Sequence, residues 1–483
     1  MSIKPSFAFN SRSDCIDGFE DHGSRGRSTN VAREALVFMV RGLRQKWKQP
    51  VAFYFSHKAT PGVILADLIR EVLGAPQSTG LKIAATVCDM GSNNILALRI
   101  LGSTLHNPCF CFNGQEIFTL HDPPHLLKCT RNMFQKYPVR GRVQVCGEVV
   151  TDLGRWSHIR ELVDSAMAAQ KRAMISNIVP FCELTEAHLN PTWRQKMKVR
   201  LAAEVFSTEV VKTLEWSRIF GMAPMEKSVT TSFLCFIHDL FQSLNGVKSE
   251  GDRVGLKLCV WEGSPHLEFW GRAAQELKDW EFMKEGRKIK PRSWKGWAIT
   301  IEAAKQLWVK LKEAGFSYLE PRRLNQDPLE NFFGCIQFHC GTARNPTMEQ
   351  FTSAFKSSII RDISSHWSRR MNCLPDDDSL MAELEEFIQM IPSSLEETED
   401  SIADNFDSEI PIVEEEAAPM VSAESFMTPK KLSMGQLAAY LCGKVMVLCW
   451  KEKKDVFFLS KVHDSKVVEI EKSGQKSVNL KWL

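Results

Sequence analysis

The chain has 483 residues, of which 44% are hydrophobic and 25% charged, a composition typical of a globular protein with about two to four domains. Its longest apolar runs, such as residues 35–40, are far too short to cross a bilayer, so we predict no membrane partner. Fourteen cysteines without a CxxC pair favour reduced thiols in the cytosol or nucleus over a disulfide scaffold.

The net charge of +3 is unevenly distributed. Residues 371–428 contain 17 acidic residues and no Lys or Arg. The rest of the chain therefore holds all 61 basic residues with 41 of the 58 acidic ones, a surplus of 20 positive charges. A basic body beside an acidic segment is compatible with nucleic-acid binding. A slightly basic enzyme with an acidic linker is the alternative, and charge alone does not separate the two.

The first 120 residues alternate between strand-like and helix-like patterns. Short β-branched and aromatic runs predict strands, and apolar residues three or four apart predict helices. The predicted strands are 35–40, 51–55 and 81–88, and the predicted helices are 61–73 and 91–101. Asn113-Gly114, between apolar runs at 109–112 and 117–120, predicts a tight hairpin. Together these elements predict an α/β unit with a mixed sheet.

Beyond residue 150 the pattern becomes helical and rich in tryptophan. Nine of the 13 tryptophans lie between Trp156 and Trp308, which indicates a separate, mostly helical domain. The apolar stripe at 301–314 is its last predicted helix, and two more helices are predicted at 329–338 and 347–365.

The C-terminal part, residues 373–483, is predicted to be less ordered. Residues 373–430, acidic and containing Pro and Ser, are predicted to form a disordered linker. Strand-like alternation then returns; the predicted strands are 445–450, 456–460 and 467–470. About 40 residues without a metal motif form a small β-rich segment with a marginal core for independent folding.

Asp89 is the first candidate for chemistry. It follows a predicted strand, and ligand and metal sites of α/β sheets concentrate at such strand ends. Residues 90–94 then turn tightly into a helix. Capping of that helix is the alternative role for a single acid at this position.

Asp327 and Glu330 stand three residues apart at the start of a predicted helix, where Pro328 suits the first turn. Acids with this spacing share one helix face and could serve one site. Acids in a first turn also complement the helix dipole, which is the competing interpretation. Carboxylates on a strand end and on a distant helix suit a divalent-metal phosphoryl-transfer site.

His121, His125 and Cys129 recur at four-residue intervals, a spacing that could ligate zinc on a helix. Because Pro123 and Pro124 interrupt the pattern, we place His121 on the preceding strand and disfavour zinc.

Three neighbours of these histidines are further candidates. Asp122 also ends a strand and competes with Asp89 for an acidic role. Lys128 and Arg131 follow and could contact phosphate, although solvated helix charges are commoner.

A cluster of basic residues with two tryptophans among them suits single-stranded or distorted DNA, with a solvated loop as the alternative. The cluster comprises Lys284, Arg287, Lys288, Lys290, Arg292, Trp294, Lys295 and Trp297. No GxxxxGK(S/T) segment exists and no GxGxxG follows a strand, so a standard P-loop nucleotide site is not predicted.

Five segments in order resemble the P-element-like transposases, which include the THAP-domain transposases of animals. The segments are 35–40 (Ala-Leu-Val-Phe-Met-Val), 86–89 (Thr-Val-Cys-Asp), 122–132 (Asp-Pro-Pro-His-Leu-Leu-Lys through Arg-Asn), 184–191 (Leu-Thr-Glu-Ala-His-Leu-Asn-Pro) and 325–333 (Asn-Gln-Asp-Pro-Leu-Glu-Asn-Phe-Phe). They cover roughly residues 1–372, and the last segment is the most specific.

This resemblance implies an α/β RNase H-like mixed sheet interrupted by a mostly helical insertion that binds GTP in the family. It implies cut-and-paste DNA transposition in the nucleus, with Mg²⁺ or Mn²⁺ held on three acids. DNA, GTP and a second copy of the chain are the implied partners. On this match Asp89 is the second catalytic acid and Glu330 the third, both metal ligands, and Asp327 is an additional acid beside them.

The family's first acid lies in a run like Asp-Glu-Met-Ser-Ile, whereas this chain opens with Met-Ser-Ile-Lys. We expect that acid to precede Met1. Asp14 and Asp17 lie on a different stretch and are not expected to replace it. Because two-metal chemistry needs bridging carboxylates, the chain is expected to be catalytically impaired. A non-enzymatic DNA- or chromatin-binding protein is the alternative function.

Residues 444–483 are separately similar to piggyBac-type transposases, chiefly between Leu448 and Val456. The predicted organisation is a first RNase H-like part at 1–145, a helical GTP-binding-type insertion at 146–318, RNase H-like C-terminal helices at 319–372, an acidic linker at 373–430 and a piggyBac-like fragment at 431–483.

Overall fold

A computed structural model describes residues 1–11, 14–145, 148–171, 183–219, 227–248, 255–341, 345–361, 379–380, 437–442, 445–451 and 455–461. The chain divides into two compact units, Met1–Pro392 and Ser393–Leu483. Each unit is described by itself. In the described part of the chain, no helix combines the length and apolar character that a membrane span requires.

The N-terminal elements are β1 (Ala8–Asn10), β2 (Cys15–Asp17), β3 (Phe19–Asp21), β4 (Arg27–Val31), β5 (Glu34–Arg41), β6 (Trp47–Ser56), α1 (Gly62–Ser78), β7 (Ala85–Cys88), α2 (Ser92–Leu101), β8 (Cys109–Phe112), β9 (Gln115–His121) and α3 (Pro123–Lys136). β5 and β6 are antiparallel neighbours in a sheet with β3 and β4. A second sheet has the order β7-β9-β8, in which β7 is parallel and β8 antiparallel to β9.

The predicted strands, helices and hairpin of this region are confirmed, with shifted ends. Asn113 and Gly114 both have positive φ, as a tight hairpin requires. β6 begins at Trp47 rather than 51 and includes Pro50, which lies opposite Met39 where the strand register shifts. An irregular position of this kind accommodates a residue that lacks an N–H donor. The third strand begins only at Ala85.

The middle elements are β10 (Val139–Val145), β11 (Glu148–Gly154), α4 (Trp156–Lys171), α5 (Glu186–Leu189), α6 (Trp193–Lys196), α7 (Val199–Val205), α8 (Thr208–Ile219), α9 (Lys227–Ser243), β12 (Val260–Trp261), α10 (His266–Asp279), β13 (Glu281–Lys284), β14 (Arg287–Ile289), α11 (Arg292–Glu313) and β15 (Tyr318–Leu319). Helices dominate, but a four-stranded antiparallel sheet, β11-β10-β13-β14, lies among them. Its β10–β11 hairpin crosses residues 145–146, where the insertion was predicted to begin.

The remaining elements of the first unit are α12 (Asp327–His339), α13 (Met348–Arg361) and β16 (Ser379–Leu380). The second unit contains an antiparallel meander of β17 (Leu437–Cys442), β18 (Val445–Lys451) and β19 (Asp455–Lys461). The strand predicted at 467–470 and nearly all of the acidic linker lie outside the described residues.

The described residues of the first unit form two large apolar cores and two small clusters around α1 and α2. The larger one is centred on the middle elements and reaches α3 and β9, which secures the start of the middle region to the β7-β9-β8 sheet. The second core packs α12 and α13 on β5 and β6, where the rings of Phe53 and Phe355 lie 4.6 Å apart. The second core therefore fixes where α12 lies, and with it the acids on that helix.

Candidate functional site

Asp89 is held by the turn that follows β7. Its Oδ1 accepts a hydrogen bond from the Gly91 backbone N–H at 2.7 Å and another from Asn94 Nδ2 at 2.7 Å. Gly91, not Asp89, occupies the N-cap position of α2, so Asp89 is not the cap of that helix. Both bonds engage one carboxylate oxygen, which orients the half-buried side chain without using Oδ2.

Glu330 is carried on the outer side of α12. Phe332 and Ile336 of the same helix are buried in the core that β5, β6 and α13 share, whereas the Glu330 side chain is exposed. A helix anchored through its apolar face presents the opposite face in a defined direction. Glu330 is therefore a fixed but solvent-accessible carboxylate.

Asp89 and Glu330 line the same cavity, which has a volume of about 1010 Å³. Asn94, Asn325 and Gln326 lie with them in its lining. Two acids that are far apart in the sequence, one after a strand and one on a helix, thus line one cavity.

Asp122 caps one helix and accepts a hydrogen bond from the start of another. Its Oδ2 accepts from the His125 backbone N–H at 2.9 Å and caps α3, while Oδ1 accepts from the Gln326 backbone N–H at 2.9 Å. Burial raises the pKa of Asp122 to about 6, and the charge of Glu330 acts in the same direction. Asp89 is among the described residues that line the cavity, and Asp122 is not. It joins the beginnings of α3 and α12 instead.

Asp327 is buried and is not among the described residues that line the cavity. The residue is only 4% exposed, and its Oδ2 accepts from Asn325 Nδ2 at 3.1 Å. Burial, followed by repulsion from Asp122, raises its pKa to about 7. Spacing alone suggested that Asp327 and Glu330 serve one site, but packing of the first helical turn separates a buried acid from an exposed one.

Two arginines that sequence reasoning did not single out fix the segment before α12. Buried Arg323 donates from Nη1 to the carbonyls of Gly42 at 2.8 Å and Gln45 at 2.7 Å, and its Nε pairs with Glu320 at 2.7 Å. Arg41 donates to the carbonyl of Arg322 at 3.0 Å. Only the Glu320–Arg323 spacing was visible in the sequence; the carbonyls that accept from Arg323 lie on the distant β5–β6 connection.

The histidine candidates do not form a zinc site in the described structure. His121 lies on β9 as predicted, and burial lowers its pKa. His125 Nε2 lies 3.4 Å from Cys129 Sγ within α3. Among the described residues, no group of three or more His, Cys, Asp or Glu side chains is arranged to hold a metal ion.

Arg131 is not available to contact phosphate. It is fully buried, and its Nη2 donates to the Lys196 carbonyl at 2.9 Å while Nε donates to Asn132 Oδ1 at 2.8 Å. The guanidinium therefore ties α3 to the end of α6. Lys128, in contrast, is half-buried and adds a positive charge near Asp122.

The basic cluster divides into exposed cations and buried aromatics. Trp297 is 0% and Trp294 7% exposed, and both belong to the larger core, so the prediction that they offer stacking faces to DNA is wrong. Their helical spacing in α11 directs them inward. All six cations are exposed, including Lys284, Arg287 and Lys288 on the β13–β14 hairpin.

Three family models match the chain. Residues 1–102 match the TNP-like RNase H N-terminal domain, residues 124–255 the TNP-like GTP-binding insertion domain, and residues 323–356 the TNP-like RNase H C-terminal domain. The two RNase H matches carry Asp89 and Glu330 respectively. The insertion match lies between them in the chain.

Two curated proteins are similar over most of the chain. The transposable element P transposase of Drosophila melanogaster is 25% identical over 346 residues, which are 70% of this chain and 43% of the relative. The DNA transposase THAP9 of Homo sapiens is 23% identical over 377 residues, 74% of this chain and 39% of the relative. The chain thus spans less than half the length of these relatives.

A solved structure shares the fold. The Drosophila P element transposase strand transfer complex superposes with a TM-score of 0.60 at 22% identity, covering 74% of this chain and 75% of that one. This likeness supports a mixed α/β fold with a separate insertion domain.

Proposed function

Because this chain is homologous to the P-element-type transposases, we propose that it is a transposase-derived protein that binds divalent metal ions through Asp89 and Glu330 and acts on DNA. The observation that carries the proposal is the convergence of these two acids in one cavity. They come from the two separate segments that match RNase H models.

The donor set fits Mg²⁺ or Mn²⁺. Both are hard cations that prefer carboxylate oxygens and bound water, and an exposed Glu330 and a half-buried Asp89 in the lining of one cavity offer such oxygens. A metal ion bound here would polarise a phosphoryl oxygen and lower the pKa of a bound water. Asn94 and the Gly91 amide orient Asp89, while the packing of α12 orients Glu330.

Calorimetric titration of the full chain with Mn²⁺ tests the site. Asp89→Ala and Glu330→Ala should each weaken Mn²⁺ binding by about tenfold or more, because each removes a charged ligand. Glu116→Ala is the matched control, since Glu116 lines the same cavity but pairs with Lys310. Equal loss in all three variants, or unchanged affinity in the first two, would contradict the assignment.

Asp327→Asn separates two roles for the additional predicted acid, Asp327. A buried support should leave the stoichiometry of Mn²⁺ binding unchanged, whereas a metal ligand should lose a bound ion. Circular dichroism of each variant verifies that the helices persist.

We further propose that the 483-residue chain by itself is catalytically impaired. Two-metal strand cleavage requires carboxylates that bridge ions about 3.5–4 Å apart. Asp89 and Glu330 are the two predicted catalytic acids in the described cavity lining, in which Glu116, paired with Lys310, is the remaining acid. Incubation with Mg²⁺ or Mn²⁺ and DNA bearing the cognate terminal repeats should give no cleavage. Cleavage that disappears in Asp89→Ala would overturn the proposal.

GTP is the nucleotide proposed for the middle region, on the strength of the insertion-domain match at residues 124–255. Calorimetry with GTP should give saturable binding, and ATP is the control for base selectivity. Absence of a heat signal with GTP at millimolar concentration would contradict the proposal that the middle region binds GTP.

Nuclear localisation, self-association and the piggyBac-like nature of the tail remain predictions.

A non-enzymatic DNA- or chromatin-binding role is the second candidate. It is favoured by the surplus of 20 positive charges outside the acidic segment and by the exposed cations of the β13–β14 hairpin. Replacing Lys284, Arg287 and Lys290 with Gln should lower the slope of log affinity against log salt by up to about 0.9 per lost phosphate contact. Lys305→Gln with Lys312→Gln, which removes cations paired with acids, is the control. An unchanged slope in the hairpin variant would exclude this surface.

A further inference from the structure

The short helix α6 and the residue after it expose two large apolar side chains. Trp193 is 73% exposed, more than any other large apolar side chain of the described residues, and Met197 is 50% exposed. Met197 keeps helical backbone angles at the C-cap, so it lies one turn after Trp193 on the same side. An isolated exposed apolar side chain needs no explanation, so the surroundings of this pair decide its significance.

The surroundings are rich in cations and free of acids. Residues 187–203 contain four Lys or Arg and no Asp or Glu. Arg194, Lys196 and Lys198 are exposed. Of the four cations, only Arg200 forms an ion pair with an acid in the described part of the chain. A surface of this composition fits an anionic partner.

Arg194 and Trp193 form one continuous surface. The guanidinium carbon of Arg194 lies 5.3 Å from the centroid of the Trp193 ring, which is a cation–π contact. Most of the ring nevertheless remains accessible to solvent. The turn therefore presents an aromatic face beside positive charges, the combination that binds the bases and phosphates of unpaired nucleic acid.

Hydrogen bonds hold this turn in a defined shape at both ends. At its start the Gln195 side chain accepts from the Thr192 N–H at 2.7 Å, while the Thr192 hydroxyl accepts from the Gln195 N–H at 3.4 Å. At its end the Lys196 carbonyl accepts from Nη2 of Arg131 at 2.9 Å. Arg131 is fully buried, and burial lowers the pKa of its guanidinium.

The buried guanidinium links the exposed turn to the rest of the first unit. Burying a charge is unfavourable unless its hydrogen bonds are made, and one of those that Arg131 makes fixes the backbone beneath an exposed turn. Arg131 belongs to α3, whose N-cap Asp122 also accepts from Gln326 before α12. A surface whose backbone is fixed in advance loses less conformational entropy when a partner binds.

We propose that residues 193–197 form a contact surface for single-stranded DNA. An unpaired base stacks on Trp193, and Arg194 and Lys196 neutralise the adjacent phosphates. This inference rests on the proposed action on DNA and adds a place where an unpaired segment is held. A duplex keeps its bases stacked on one another, so it offers this surface only phosphates and is bound more weakly. Every base has a π face, so binding is tolerant of sequence.

Fluorescence anisotropy of a labelled oligothymidylate of about 12 nucleotides tests the surface on the full chain, in EDTA and without GTP. Trp193→Ala should weaken binding at least about fivefold, because one stacked base is lost. Trp193→Phe, which keeps an aromatic ring, should lose less. Phe9→Ala is the matched control, since Phe9 is 68% exposed but lies on β1, and should bind like the wild type. Circular dichroism verifies that each variant is folded.

An abasic strand with the same number of phosphates separates stacking from charge. The wild type should bind it more weakly than oligothymidylate, and Trp193→Ala should reduce that difference. Arg194→Gln with Lys196→Gln should instead lower the slope of log affinity against log salt by up to about 0.7 per lost phosphate contact. Lys305→Gln with Lys312→Gln, whose cations are paired with acids, is the control for charge.

The outcomes separate this surface from the proposed function. Oligothymidylate binding that is the same in the wild type, in Trp193→Ala and in Arg194→Gln with Lys196→Gln would overturn the surface and leave the action on DNA intact. Absence of DNA binding by the wild type would overturn both. Unchanged DNA binding with loss of self-association in Trp193→Ala would identify a protein contact and overturn the proposal. Mn²⁺ binding should be unchanged in every variant, because Asp89 and Glu330 lie outside the turn.

Discussion

The aromatic centre of the middle region and the polar junction before α12 bury side chains of opposite chemistry. In the first, the Phe233 ring has centroid distances of 4.9 Å to Phe134 and 5.3 Å to Trp280. In the second, the carboxyl groups of Asp122 and Asp327 are buried with directed hydrogen bonds. The first region buries apolar rings, whereas the second buries carboxyl groups that need hydrogen-bond partners.

The contrast shows how stability and orientation are divided within one unit. Aromatic burial contributes stability and tolerates some variation in geometry. Burying carboxylates is costly, as the raised pKa values of Asp122 and Asp327 show. The hydrogen bond from Gln326 to Asp122 holds the beginning of α12, which carries Glu330, at the end of β9. β9 pairs with β7, the strand that precedes Asp89.

The largest effect should come from the aromatic side. Trp297 is completely buried and donates from Nε1 to Thr130 Oγ1 at 3.0 Å. Trp297→Ala should lower the free energy of unfolding by about 3–5 kcal/mol, measured by urea denaturation. Trp193, which is 73% exposed, is the control, and Trp193→Ala should change it by less than about 0.5 kcal/mol. Similar losses in the two variants would show that the core assignment is wrong.

At the junction, Asp122→Asn should destabilise by about 1.5–3 kcal/mol, because an amide cannot accept from both the His125 and Gln326 N–H groups as the carboxylate does. Urea denaturation again measures the change. Asp67→Asn, in a partly exposed ion pair with Arg70, should cost no more than about 1 kcal/mol. If Asp122→Asn is as mild as this control, Asp122 does not join the two helices.

The pH dependence of the junction sharpens the comparison further. The pKa of Asp327 is about 7 in the folded chain and about 3.9 in an unfolded one, so the folded state binds more protons between these values. Its contribution is therefore fully present below pH about 4 and lost as pH rises through about 7. The unfolding free energy of the wild type minus that of Asp327→Asn, measured in EDTA from pH 5 to 8, should fall with rising pH. A difference that rises or stays flat would contradict the burial of this acid.

The smallest effect on stability is expected for the exposed acid. Glu330→Gln should change the unfolding free energy by less than about 0.5 kcal/mol, since the side chain is exposed on α12. The measurement is made without metal, so that loss of a bound ion does not contribute. A loss comparable with that of Asp122→Asn would assign Glu330 to the junction and not to the cavity.

Local patterns were sufficient for most elements of the N-terminal region. The Asn113-Gly114 turn, the apolar spacing of α1 and the strand-end position of Asp89 depend on neighbours in the chain, and the structure retains all three. The inward direction of Trp294 and Trp297 was also present in their helical spacing within α11. The adjacent cations are exposed and indicate a surface, although the tryptophans among them are buried.

No local sequence pattern predicts the roles of Asp122, Arg131 and Arg323. Each is buried because its hydrogen-bond partners come from a distant part of the chain: Gln326 for Asp122, Lys196 for Arg131 and Gly42 for Arg323. A charged residue on a helix or turn looks solvated until those partners are known.

The amino-acid sequence by itself determined the succession of strands and helices, the hairpin, and the two acids that could serve a metal site, because periodicity and turn chemistry are local properties. Only the tertiary structure decided that Asp327 is buried while Glu330 is exposed, that Asp122 links α3 to α12, and that residues of β5 and β7 line one cavity. Burial depends on which distant segments pack together, and this is decided by the apolar cores of the whole unit.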